Sequence, residues 1–169
     1  MNFRRNRLLI MLLAGMLLSA CGYRFAGTGN LPHGTRTLFV DVLVNRTAET
    51  GIENTFTADL RYQFVRNQMT AERSRADGIL SGSIRSLQVQ TISRRGQNTA
   101  QERRVTASVD LTLKKQNGQA IWSLKGVSAN EAYAVASDDR ATEANKRAAI
   151  IALSARLAEN IYYRLTEDF

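Results

Sequence analysis

The chain has 169 residues, 23 of them Lys or Arg against 15 Asp or Glu, with a single cysteine and a single histidine. One cysteine excludes an intrachain disulfide, and one cysteine with one histidine excludes a Cys/His metal centre. The formal net charge of +8 points to anionic partners, and 44% hydrophobic residues without a low-complexity tract suit a folded domain.

Met1 to Arg7 carries Arg4, Arg5 and Arg7 and no acid; Leu8 to Leu18 is almost wholly apolar; Ser19 and Ala20 are small. A basic head, an apolar run and a small-residue exit predict a cleaved secretory signal over residues 1–20. The run is shorter than the ~20 residues a membrane-spanning helix needs. It ends Leu18-Ser19-Ala20-Cys21, which resembles the lipobox of bacterial lipoproteins. Cys21 is then the expected lipidation residue, with a diacylglyceryl group on sulfur and an acyl group on the new amine. Stable anchoring takes at least two chains, so this residue alone would hold the protein to a membrane. Gly22 stands where Asp tends to retain lipoproteins in the inner membrane, and so favours the outer one. Loss of Arg4, Arg5 and Arg7 with the leader lowers the net charge to about +5. An exported, anchored chain does not meet the chromosome. Its anionic partners are phospholipid head groups, lipopolysaccharide or acidic protein loops, with plain solubility charge as the alternative.

Residues 21–34 hold four glycines and the only proline, Pro32, and read as a lead from the lipid to one domain over 35–169. "TRTLFVDVLV", 35 to 44, predicts one central strand with Leu38, Val40, Val42 and Val44 on one side. Asn45 and Thr47 read as turn residues. Ile52, Phe56, Leu60 and Phe64 then recur every four residues, one face of an amphipathic helix. A short extended piece near Met69 to Glu72 follows. Ile79, Leu80, Ile84, Leu87, Val89 and Ile92 predict a second long strand with a bulge near Arg85 and Ser86. Strand, helix, strand favours parallel pairing of the first two strands. "VTASVDLTL", 105 to 113, alternates strictly. Asn117-Gly118 suits a two-residue type I′ turn, which sets Leu113 opposite Trp122, Leu111 opposite Leu124 and Asp110 opposite Lys125. Ser137, Asp138 and Asp139 open a last helix with Ile150, Leu153, Leu157, Ile161 and Leu165 as its stripe. The expected fold is α+β: a two-layer sandwich of order β-α-β-β-β-α, both helices on one face of a four-stranded mixed sheet. The other face carries Thr106, Ser108, Asp110, Thr112 and Lys114.

Chemistry is sparse. His33 lies beside Pro32 with no nucleophile and acid arranged around it in sequence, Asp138 and Asp139 are explained by capping, and Gly78 and Gly82 make no phosphate loop. No catalytic residue, cofactor or metal is expected. The one concentrated feature is "SRRGQNTAQERR", where Arg94, Arg95, Arg103 and Arg104 face a single acid, Glu102. With antiparallel strands, both arginine pairs flank one hairpin tip. Guanidinium groups bind phosphate in bidentate fashion. The alternative is a solvated basic loop, or one that meets acidic protein loops.

The phrases "CGYRFAG", "LPHGTRTLFVDVLVNRT", "GIENTFTADLRYQF", "ADGILSGSI" and "ENIYYRLTEDF", in that order, resemble the LPS-assembly lipoprotein family LptE across nearly the whole mature chain. The resemblance implies a non-catalytic outer-membrane lipoprotein on the periplasmic side, paired as a heterodimer with the LptD β-barrel. It would plug that barrel, support its assembly and bind lipopolysaccharide during delivery to the cell surface. It also places Arg94 and Arg95 at the family's basic loop tip. Asp138 and Asp139 stand where a second cation would complete a two-part lipopolysaccharide site, a departure from the pattern. The alternative is a structural or chaperone lipoprotein of another outer-membrane assembly machine, without lipopolysaccharide contact.

Overall fold

A computed structural model describes residues 30–95 and 99–166. The expected leader and Cys21 lie outside the described residues. Five strands and two helices follow in chain order: β1 (Leu38–Val40), β2 (Val44–Asn45), α1 (Ile52–Arg66), β3 (Gly78–Arg95), β4 (Thr99–Lys115), β5 (Ala120–Ala134) and α2 (Asp139–Thr166). The sheet order is β1-β3-β4-β5, with β2 also on β3. β1 and β2 run parallel to β3; the other pairs are antiparallel. The class is the expected α+β one.

Alternation on β4 decides which face is covered. Val105, Ala107, Val109, Leu111 and Leu113 are all buried, while Thr106, Ser108, Asp110 and Thr112 between them are half-buried and Lys114 is exposed. α1 adds Ile52, Phe56, Leu60 and Phe64 to the core, and α2 adds Ile150, Leu153, Leu157, Ile161 and Leu165. The Phe64 and Tyr162 rings meet edge to face at 5.5 Å between centroids, which joins the helices. Leu31 and Pro32 also pack into the interior, just ahead of a turn at Pro32–Gly34. Asp138 caps α2: its carboxylate accepts from the Ala141 N–H at 3.0 Å. Asn45 closes its own turn by accepting from the Thr47 N–H at 2.9 Å.

Three expectations need correction. The first strand is two short pieces at a sheet edge, not one central strand. The chain leaves the ladder at Val42 and Leu43, where the Leu43 N–H donates to the buried Thr57 hydroxyl of α1 at 3.0 Å. That bond draws Leu43 into the core and turns Val42 and Val44 outward, where both are exposed. The strand count is therefore five. Secondly, the β4–β5 turn is a three-residue loop. The Gly118 N–H bonds Lys115 O and the Lys115 N–H bonds Gln119 O, each at 2.9 Å, and only Gly118 takes positive φ, at 87°. This is a type I turn closed by a left-handed glycine. An irregularity at Ile121 restores the register, so Leu113 still faces Trp122 and Leu111 still faces Leu124. Thirdly, Asp110 does not pair with Lys125. Lys125 and Gly126 together span one β4 residue. Asp110 instead accepts from the Gly126 N–H at 2.7 Å and pairs with Arg85 at 3.5 Å. Arg85 is available because the anticipated bulge falls there, between the pairs Ile84–Val109 and Ser86–Ser108.

Candidate functional site

β3 and β4 pair antiparallel up to Arg95 opposite Thr99, so all four arginines reach one end of the sheet. They do not form one cluster. Arg103 lies in register with Thr91 and with the buried Tyr133, on the helix-covered face, and is half-buried. Arg104 lies opposite Gln90 and Ala132 on the open face and is exposed. Arg94 is exposed, opposite Ala100, next to the tip. Four strand steps of β3 separate Gln90 from Arg94, about 13 Å at ~3.3 Å per step. Arg94 and Arg95 thus belong to the tip, and Arg103 and Arg104 to its base on opposite faces. None of Arg94, Arg103 and Arg104 has an ion-pair partner among the described residues, unlike Arg73, Arg85, Arg147 and Arg156.

The open face is built from short polar side chains in rungs across three strands. Ser81, Thr112 and Ser123 align; Ser86, Ser108 and Ser128 align; Gln88, Thr106 and Asn130 align. Such a face is rich in hydrogen-bonding groups, and it also carries Arg104, Asp110 and Lys114.

Two fixings were not visible in sequence. The Asp77 carboxylate accepts from the Arg36 and Thr37 N–H groups, each at 3.0 Å, and holds the entry to β1. Those backbone donors, Arg36 first, keep its pKa below the usual carboxylate value. Lys146 of α2 bonds Glu49 of the β2–α1 loop, and this hydrogen bond raises the lysine pKa. Burial raises the Tyr162 phenol. Among the described residues no group of three or more His, Cys, Asp and Glu could hold a metal. No described helix is long and apolar enough to cross a membrane.

Solved structures show the same fold. Rare lipoprotein B from Shewanella oneidensis superposes with a TM-score of 0.55 at 15% identity, covering 74% of this chain and 93% of that one. A minor lipoprotein from Acinetobacter baumannii gives 0.54 at 14% identity, with 79% and 92% coverage. A lipoprotein B from Nitrosomonas europaea gives 0.57 at 12% identity, with 86% and 90% coverage. No curated protein sequence matches the chain. The family model described as LptE, lipopolysaccharide-assembly, matches residues 35–165, from the approach to β1 to the last turn of α2, and the chain therefore belongs to the LptE family of lipopolysaccharide-assembly lipoproteins.

Proposed function

We propose that the protein is a lipid-anchored, non-catalytic subunit that seats in the lumen of the LptD β-barrel and offers its arginine tip to lipopolysaccharide. The observation that carries this reading is the ladder of Ser, Thr, Gln and Asn rungs on the open face. A folded domain inside a hydrated barrel needs a broad wall without a greasy patch, and a hydroxyl-rich face satisfies polar loops and trapped water alike. In this reading residues 1–20 are a cleaved signal, Cys21 carries the acyl chains on the periplasmic side of the outer membrane, and 21–34 leads to a domain over 35–169. Leu38 lies beside Gly78 at the start of β3, whereas Arg94 and Arg95 lie at its far end. Seventeen strand steps separate the two ends, about 55 Å. The entry of the chain into the sheet and the arginine tip thus lie at opposite ends of β3, as a plug that reaches across an outer-membrane barrel requires. Arg94 and Arg95 are assigned to lipid A phosphates, with Arg103 and Arg104 supporting the base.

Two experiments test this. Extraction in detergent through a C-terminal tag should recover an LptD homologue in equal amount. Recovery of a different barrel assembly machine in its place would favour the chaperone alternative. For the tip, Arg94→Asp with Arg95→Asp should weaken lipopolysaccharide binding by about tenfold or more, because two charge-assisted contacts are reversed in sign. Unchanged binding by a folded double variant would remove the site and leave the plug role standing.

A further inference from the structure

The two lateral edges of the sheet are finished differently. Along β5 the edge carbonyls are occupied by α2: Asn145 donates to Ala134 O at 2.9 Å, and Arg156 donates to Asn130 O at 3.0 Å while pairing with Glu131 at 2.7 Å. On the opposite edge, β1 and β2 cover β3 only from Gly78 to Ile84. Beyond that point β3 has β4 on one side and, among the described residues, no strand on the other. Gln88, Val89, Gln90, Thr91 and Ile92 are exposed in succession, which happens only where both faces and the edge are open.

Between the bulges at Arg85 and Ile92, Ser86 to Thr91 pairs regularly with Ser108 to Arg103. These six residues contain no charge, proline or glycine. Natural sheets blunt such an edge with a charge, a proline, a bulge or a cover. Here the straight stretch has no charge, proline or bulge, and no described residue pairs along it, although the same sheet protects β5. In a two-stranded ladder alternate residues turn both N–H and C=O away from the partner. Among the described residues nothing accepts or supplies those bonds along Ser86–Thr91.

Charge at the ends decides what fits. Arg85 stands at one end, meeting Asp110 at 3.5 Å yet with its side chain 56% exposed, and Arg94 stands exposed at the other. Antiparallel pairing with a second copy of this chain over the same six residues would bring Arg85 diagonally against Arg94 twice. Parallel pairing in register would set each arginine against its own copy. Like charges so placed oppose pairing. A strand with a neutral centre and carboxylates at its ends meets both arginines favourably.

We propose that the Ser86–Thr91 edge of β3 is a docking site for an extended, acid-flanked segment of another protein, added to the sheet as a further strand. The site differs from barrel plugging but shares Arg94 with the tip proposed for lipopolysaccharide, so the test is run without that lipid. The probe is a nonapeptide of alternating Thr and Val with Asp at both ends, added to the full chain. Hydrogen exchange at residues 86–91 should slow about tenfold or more, as expected when open edge amides gain partners. The same peptide N-methylated on alternate residues, or ended with Lys, should bind at least about tenfold weaker, lacking either the backbone donors or the charge match. Val89→Pro, a residue type that edge strands tolerate, should abolish binding with an unchanged far-ultraviolet spectrum. If that variant fails to fold, the N-methylated peptide against the unaltered chain decides. Protection elsewhere, equal binding of the N-methylated peptide, or a concentration-dependent dimer that protects the same residues overturns the proposal.

Discussion

Leu80 and Ile84 in the first half of β3 are wholly buried, whereas Val89 and Ile92 in the second half are 42% and 40% exposed. The residue types are the same, and the strand is continuous. What differs is the cover. α1 has 15 residues, about 22 Å at ~1.5 Å each, and β3 has 18, about 59 Å at ~3.3 Å each. β1 and β2 pair with β3 only as far as Ile84, and α1 is less than half the length of β3. The second half keeps β4 as its neighbour and carries the arginine tip. One half of the strand makes the core, and the other is presented outward.

That contrast can be broken or sharpened by substitution. The largest effect is expected at Phe64, which is 0% exposed under the first half. Phe64→Ala should cost about 3–5 kcal/mol, read as a lowered denaturation midpoint. Gly82→Ala comes next: a Cβ there would lie 2.1 Å from Asp110 O and 2.7 Å from Leu111 Cδ2, so backbone must move. A loss of about 1–3 kcal/mol is expected, as for overpacked cores. Ile92→Ser in the second half should change stability by no more than about 0.5 kcal/mol. A loss as large as that of Phe64→Ala would show that the distal half is covered after all. The smallest effect concerns pH. The Asp77 pKa is depressed in the folded state, so its contribution is present above the unfolded value of 3.8 and is lost as pH falls through the folded value. Asp77→Asn should therefore flatten the acid limb of the stability profile while leaving the neutral region nearly parallel. An unaltered acid limb would remove Asp77 from that role.

Local pattern carried much of this. Strict alternation along β4 revealed its covered face, and the phase slip near Arg85 revealed a bulge. The run Ser137, Asp138, Asp139 marked the start of α2, with Asp138 as the cap. These features depend on neighbours in sequence. The break after Val40 depends on Thr57, whose hydroxyl takes the N–H of Leu43, fourteen residues before it. The partner of Asp110 depends on Gly126 and Arg85, brought together by two irregularities on different strands. Both escape periodicity because a single tertiary hydrogen bond outweighs it. The division of the arginines was legible in principle. Val105, Ala107 and Val109 face the helices, so Arg103 belongs to the same face and Arg104 to the other. The open edge of β3 was not legible, since it arises from the lengths of elements that pack beside it.

Hydrogen exchange of the full chain with and without lipopolysaccharide tests the division of labour most directly. Slower exchange confined to residues 90–95 and 99–104, with α1 and α2 unaffected, is the predicted result. Protection confined to the helices, or none at the hairpin in a preparation that binds lipopolysaccharide, would contradict it.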